Sequence, residues 1–281
     1  MTIKEEILNW HEESEERKAL KEWFNNDKQN QELLKLYKSK HNVIKEIEAI
    51  IKEKEERLAL HLLCVHPNYQ KSKYKVMIIG QELNGGYGIK KSDGDIDIKL
   101  MMLDFFKTIN SKHKRKPSGH FSNFSADFTK SINEETENNS YHIWTNIRKF
   151  SYRKKRLKDK VDKSDSKKTP RNKLPDKIQK IIDEEFNILA DEIKIIKPDI
   201  VLFLIGPTKK YKGELEKQLK GIKYHEVDNY KKRELVRLEH EVLPYKSFRT
   251  YHPQYLKRNR KGIERQFYSF LNFSIIFLSK L

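Results

Sequence analysis

Two hydrophobic rhythms divide the chain. Over the first sixty residues Val43, Ile44, Ile47, Ile50 and Ile51 recur at helical spacing with charges between them, and Trp10, Leu20, Trp23 and Phe24 predict an earlier helix ending near Asn25-Asn26-Asp27. After Pro67 the rhythm changes to short β-branched runs separated by helical stretches. Strands are expected over 75–80 (KVMIIG), 141–146 (YHIWTN), 199–206 (DIVLFLIG) and 246–252 (KSFRTYH). Helices are expected over 96–109, over 178–196 ending just before Lys197-Pro198, and over 262–278. Apolar strands alternating with helices argue for a parallel sheet covered on both faces. The expected fold is α/β, a three-layer α/β/α sandwich around a four-stranded parallel sheet (residues 71–281), preceded by a helical N-terminal appendage (residues 1–70). That appendage reads as a packing cap, a dimerising hairpin or a partner-binding arm.

Composition narrows the class. Fifty-nine Lys and Arg against 41 Asp and Glu leave a net charge of +18, while 14 Phe, 13 Tyr and 3 Trp supply aromatics that a disordered chain lacks. The only cysteine, Cys64, excludes a disulfide framework, an iron–sulfur cluster and a Cys-rich zinc site, which suits a cytoplasmic protein. The apolar stretch 267–278 is shorter than the roughly 18 residues a bilayer demands, so it is expected to be a core helix and no membrane partner is expected. Asp93, Asp95 and Asp97 lack the glycine and terminal glutamate of a calcium loop, and no metal or cofactor is expected.

The positive charge is concentrated. Residues 1–62 carry 12 basic and 14 acidic side chains, whereas residues 148–177 carry 14 against 4 and residues 245–265 carry 7 against 1. Single-sign clusters of this kind suit a phosphate backbone, so a phosphate-bearing polyanion is the expected partner, the alternative being a basic loop with no partner. Residues 152–176, poor in apolar side chains and holding two prolines, are expected to form a mobile basic loop.

Ligands of open parallel sheets bind outside the carboxyl ends of the strands. There the sequence places Gly80-Gln81-Glu82-Leu83-Asn84-Gly85-Gly86, then Trp144-Thr145-Asn146, then Gly206-Pro207, and finally Tyr251-His252-Pro253-Gln254-Tyr255-Leu256 followed by Lys257, Arg258 and Arg260. A carboxylate, a carboxamide and an imidazole thus stand at three strand ends beside concentrated positive charge.

That order resembles the uracil-DNA glycosylase superfamily over roughly residues 74–280. Gly80 to Gly85 looks like its GQDPYH motif, and Asn146 like its strand-borne base-reading Asn. Ile196-Lys197-Pro198-Asp199-Ile200-Val201 up to Gly206 resembles its IKPxxVxxxG strand, and His252-Pro253-Gln254-Tyr255-Leu256 its HPSPL motif. The resemblance implies a monofunctional DNA N-glycosylase that flips out a pyrimidine, cuts its N-glycosidic bond and leaves an abasic site. Glu82 would stand beneath the sugar and orient water, and His252 would stabilise charge on the pyrimidine O2. Asn146 would read the pairing edge, helped by Gly80, Gln81 and Asn84, with Phe121 stacking on the base. Leu256 would wedge the duplex, while Tyr255, Lys257, Arg258 and Arg260 would lie on DNA. Asn84, standing where the family's pocket-closing Tyr would be, implies room for a 5-substituted pyrimidine such as a modified cytosine or uracil of phage DNA, beside plain uracil. The expected task is repair or anti-phage defence. The alternatives are a catalytically silent modified-DNA-binding protein of the same fold and, more remotely, a metal-dependent nuclease, for which no carboxylate cluster is found.

Overall fold

In the computed structural model, the residues described are 15–52, 57–82, 88–104, 120–133, 141–153 and 174–258. The helices and strands in chain order are α1 (Glu15–Asn26), α2 (Lys28–Ser39), α3 (His41–Lys52), β1 (Arg57–Leu60), α4 (Pro67–Lys71), β2 (Val76–Gly80), β3 (Lys91–Ser92), β4 (Asp95–Ile96), α5 (His120–Asn133), β5 (Ile143–Asn146), β6 (Phe150–Arg153), α6 (Asp176–Glu185), α7 (Leu189–Ile196), β7 (Ile200–Phe203), α8 (Lys209–Gln218), β8 (Lys223–Glu226), β9 (Leu235–Glu239), β10 (Lys246–Thr250) and α9 (Pro253–Arg258). A further helix opens at residue 98 and is described as far as 104.

The central sheet has the order β5-β2-β7-β10-β9-β8. Its first four strands are parallel and are the four read from the sequence; β9 and β8 extend it antiparallel. The expected four strands are therefore four of six among the described residues. Every residue of β2 and β7 is buried, as two covered faces require. Successive side chains of a strand leave opposite faces. Met77, Ile79, Ile143, Val201 and Phe203 enter a large core with α1–α3 and α6–α8, while Val76, Ile78, Ile200, Leu202 and Phe248 pack on Phe124, Phe128 and Ile132 of α5. The result is helices, sheet and helix in three layers.

Both flanks of the sheet are tied to it. The N-terminal helices contribute Phe24, Leu33, Tyr37, Ile44 and Ile47 to the same core as the sheet, so no boundary between separate cores falls at residue 70. Polar contacts fasten them as well. Gln29 Nε2 donates to the carbonyls of Ile195 and Ile196 (2.9 and 2.7 Å), closing the C-terminus of α7. Buried Asn30 exchanges hydrogen bonds with the backbone of Val65 (3.2 and 2.8 Å). Residues at both ends of the segment expected as a basic loop take part in the fold. Tyr152 and Arg153 belong to β6, which pairs antiparallel with β1; Leu174 is buried and Asp176 opens α6. Residues 154–173 and the helix expected over 262–278 lie outside the described residues.

The helix expected over 178–196 is two. α6 ends at Phe186, and α7 starts after Ile188, both residues buried. α7 stops where Lys197 takes a left-handed conformation (φ 49°) ahead of Pro198, because the residue before a proline is excluded from the helical region.

Candidate functional site

Strand register brings the four chain segments to one edge. Gly80 pairs with Asn146 across β2 and β5, Ile79 pairs with Phe203 across β2 and β7, and the backbone N–H of Gly206 donates to Thr250 at 2.9 Å. Gly206 takes φ 74°, a left-handed value that glycine reaches without a Cβ penalty, so the chain turns away directly after β7. The carboxyl ends of all four parallel strands therefore face one region.

Asn146 is buried within that edge. Its Nδ2 donates to Nδ1 of His61 at 2.9 Å, and its Oδ1 accepts from the indole Nε1 of Trp144 at 3.3 Å. The rings of His61 and Trp144 meet edge to face, centroids 5.1 Å apart. Gly80 is where the backbone comes closest: a Cβ there would lie 2.5 Å from Asn146 Oδ1 and 3.1 Å from the Phe121 ring. Only glycine lets the amide and the phenyl ring meet over β2.

Phe121 joins this group to the fourth strand end. Its ring lies 5.4 Å from Trp144 and, stacked, 5.8 Å from His252. His252 follows β10, and its Nδ1 accepts from the backbone N–H of Gln254 at 3.2 Å, which leaves Nε2 as the atom able to address a ligand. Burial pushes the imidazole pKa below its ordinary value, and nearby His120 pushes it the same way, so the neutral ring is favoured. The approach is braced from the segment that leads into β9. Arg249 donates to the carbonyls of Arg233 and Lys232 (3.0 and 2.9 Å), Thr250 to that of Glu234 (2.8 Å), and Arg233 Nε to the Tyr251 hydroxyl (2.8 Å).

Gly80, Phe121, Asn146 and His252 are thus brought together. Glu82 stands at the same edge, yet its carboxylate is held by Arg148 (3.6 Å) and Lys210 (3.7 Å). Arg148 also reaches Glu214 at 2.6 Å, and the Tyr211 hydroxyl is pushed well above its ordinary pKa, chiefly by burial and next by the charge of Glu82. The Gln81 side chain is spent on the carbonyl of Ile205 (2.9 Å), tying the exits of β2 and β7. Tyr255 is exposed on α9 and stacks on Tyr251 at 4.6 Å. Leu256, Lys257 and Arg258 lie on α9, which rests against α5, while Asn84 and Arg260 fall outside the described residues.

Four contributors were not picked out from the sequence as site residues: His61, Trp144, Arg148 and Lys210. For His61 the signal was a single ring nitrogen-bearing residue inside the apolar run 58–65 (LALHLLCV). Among the described residues no group of three or more His, Cys, Asp or Glu is placed to hold a metal ion, and no helix is long and apolar enough to cross a membrane. Comparison with protein-family models, with curated proteins and with solved structures found no match.

Proposed function

We propose that the chain is a DNA glycosylase that takes an extruded pyrimidine at the carboxyl edge of the sheet and hydrolyses its N-glycosidic bond. The observation that supports this reading is the meeting of Asn146 and Phe121 over the bare backbone of Gly80, with His252 stacked on Phe121. A carboxamide offers paired donor and acceptor to a base edge. The phenyl ring offers a stacking face, and a neutral imidazole can donate to a carbonyl oxygen as negative charge builds on the departing base. Glu82 is the group to orient water and favour the developing sugar cation. Of its two ion-pair partners, Lys210, half exposed, is the one that can yield to a phosphate. Positive segments at 148–177 and 245–265 would hold the strand, and 5-substituted pyrimidines are among the candidate bases.

The test uses purified protein and oligonucleotides carrying uracil, cytosine or their 5-hydroxymethyl derivatives. Alkali-labile cleavage at the target nucleotide, lost in Asn146→Ala and in His252→Ala, is expected; absence of cleavage with every base overturns the reading.

A second reading, a catalytically silent protein that binds modified DNA, is favoured by the same ion pairs on Glu82, since a carboxylate engaged by two cations is poorly placed to activate water. Retention of modified over unmodified DNA without any abasic product, unchanged in Glu82→Gln, would establish it instead. On either reading binding weakens steeply with salt.

A further inference from the structure

We propose that the exposed face of β8 and β9, together with the opening of β10, is a second nucleic-acid contact that takes an unpaired stretch of strand at the amino edge of the sheet, opposite the candidate site. The contact needs no chemistry at the carboxyl edge. Tyr245 and Lys246 open β10, whereas His252, Lys257 and Arg258 follow it, so the basic segment 245–265 is divided between two edges. From Lys246 to Thr250 alone the strand advances about 13 Å. Lys246 is thus remote from a base held between Asn146 and His252.

Strand register gathers cations on one face here. Val236 and Leu238 enter the core with α8, so Arg237 and Glu239 leave the opposite face, where they pair with His225 and Lys223 of β8. The one carboxylate of this group, Glu239, is surrounded by Lys223, His225 and Arg237 at 3.2, 2.9 and 3.6 Å. It holds them in place, and with Lys246 the balance stays positive. Two tyrosines complete the surface. The Arg237 guanidinium covers one face of Tyr245 at 4.7 Å, and Lys246 Nζ lies 5.2 Å from the centre of the Tyr74 ring. Tyr245, 58% exposed, is the most open large apolar side chain among the described residues. An open aromatic ring backed by a guanidinium is a platform for a base, and such stacking tolerates any sequence because every base has a π face. The cations around it suit the flanking phosphates. An acidic peptide would use the cations and leave the ring idle, and a duplex offers no unpaired base. The occupant that uses both is a single strand of nucleic acid.

The test follows fluorescein-labelled oligothymidylate and oligouridylate by anisotropy, and photo-crosslinks 5-iodouracil versions of both to the full chain, with the attached peptide mapped by mass spectrometry. Crosslinking at Tyr245 is expected, and the polymer bound more tightly identifies the partner's sugar. Tyr245→Ala should weaken single-strand binding by about tenfold and Tyr245→Phe should keep it, with duplex affinity and the unfolding midpoint unchanged in both. Lys246→Met should lower the salt dependence of single-strand affinity by about 0.7 in log–log slope. Crosslinks confined to the carboxyl edge, an unchanged single-strand affinity in folded Tyr245→Ala, or equal losses for single strand and duplex overturn the proposal. So does polyglutamate that competes with the oligonucleotide, is released by Lys246→Met and is kept by Tyr245→Ala, which marks an acidic protein as the partner. A Tyr245 crosslink that persists in Asn146→Ala and His252→Ala supports the second contact whether or not the wild type releases any base, so the glycosylase reading can fail without it.

Discussion

Thr145 and Asn146 are consecutive on β5, and their side chains enter two polar clusters that differ in kind. Thr145 faces Lys149, Glu192 and Tyr37, all four fully or almost fully buried. Lys149 pairs with Glu192 and also donates to the Thr145 hydroxyl, while the Tyr37 hydroxyl donates to Glu192 at 2.7 Å. Asn146 faces His61, Trp144 and, across Gly80, Phe121, none of which carries a formal charge in the tautomer the contacts require. The ionic cluster joins α2, α7 and β5, and it holds the N-terminal helices to the sheet. The neutral cluster sits at the carboxyl edge and has one polarity only. Buried opposite charges suit a permanent joint, because each is costly without the other. A neutral base edge is better met by an amide of fixed direction.

The largest effect expected from breaking this contrast is in the ionic cluster. Burial pushes the Lys149 pKa down and the Glu192 pKa up, each opposed by the charge of the other, so removing one partner strands a charge away from water. Glu192→Ala should lose about 3–5 kcal/mol of stability in urea unfolding. The double variant Lys149→Met, Glu192→Leu should lose much less than the sum of the two single changes. Additive losses would show that the pair is not coupled and that the joint is merely hydrophobic packing.

A smaller effect is expected where the neutral cluster meets the site. Gly80→Ala puts a methyl group 2.5 Å from Asn146 Oδ1 and 3.1 Å from Phe121, and the amide it meets is buried. Overpacking of this sort costs about 1–3 kcal/mol, less than the stranded charge. On the glycosylase reading its functional cost should be larger than its structural one, with base release falling well before the fold does, because the amide and the phenyl ring can no longer meet over β2. A folded Gly80→Ala protein with wild-type base release would separate Asn146 from the chemistry.

The same contrast governs what was legible in the chain. β2 and β7 were readable because strands buried on both faces are continuous apolar runs, and the stop at Lys197-Pro198 because proline restricts the residue before it. β8 escaped because it is an edge strand, KYHE, with no buried residue and no apolar alternation to announce it. The amphipathic α5 escaped although its Phe124, Phe128 and Ile132 stand at helical spacing. Asn146 and His252 could be singled out by their places at strand ends. The hydrogen bonds around Asn146 could not, since His61 lies 85 residues away along the chain and reads locally as part of an apolar run. The Lys149–Glu192 pair, 43 residues apart, looks in sequence like two more surface charges among many.

The smallest effect, and the sharpest, belongs to His252. Its pKa lies below the ordinary histidine value of 6.5 because burial disfavours the imidazolium and His120 adds to that. Above 6.5 neither the folded nor the unfolded chain protonates this ring, and its neutral packing contributes in full. As pH falls from there toward the lower folded-state pKa, the unfolded chain binds a proton that the folded chain refuses, so stability declines; below the folded value both are protonated and the decline stops. Unfolding midpoints taken from about pH 8 to about pH 5 should therefore fall more in the wild type than in His252→Gln. If base release needs the neutral ring to donate from Nε2, activity should survive to lower pH than an unperturbed histidine would allow. Replacing His120 by Gln removes the second cause and leaves the first, so the His252 titration, followed by NMR, should move up toward 6.5 without reaching it. A titration that does not move would assign the whole depression to burial, and with it remove His120 from the electrostatics of the site.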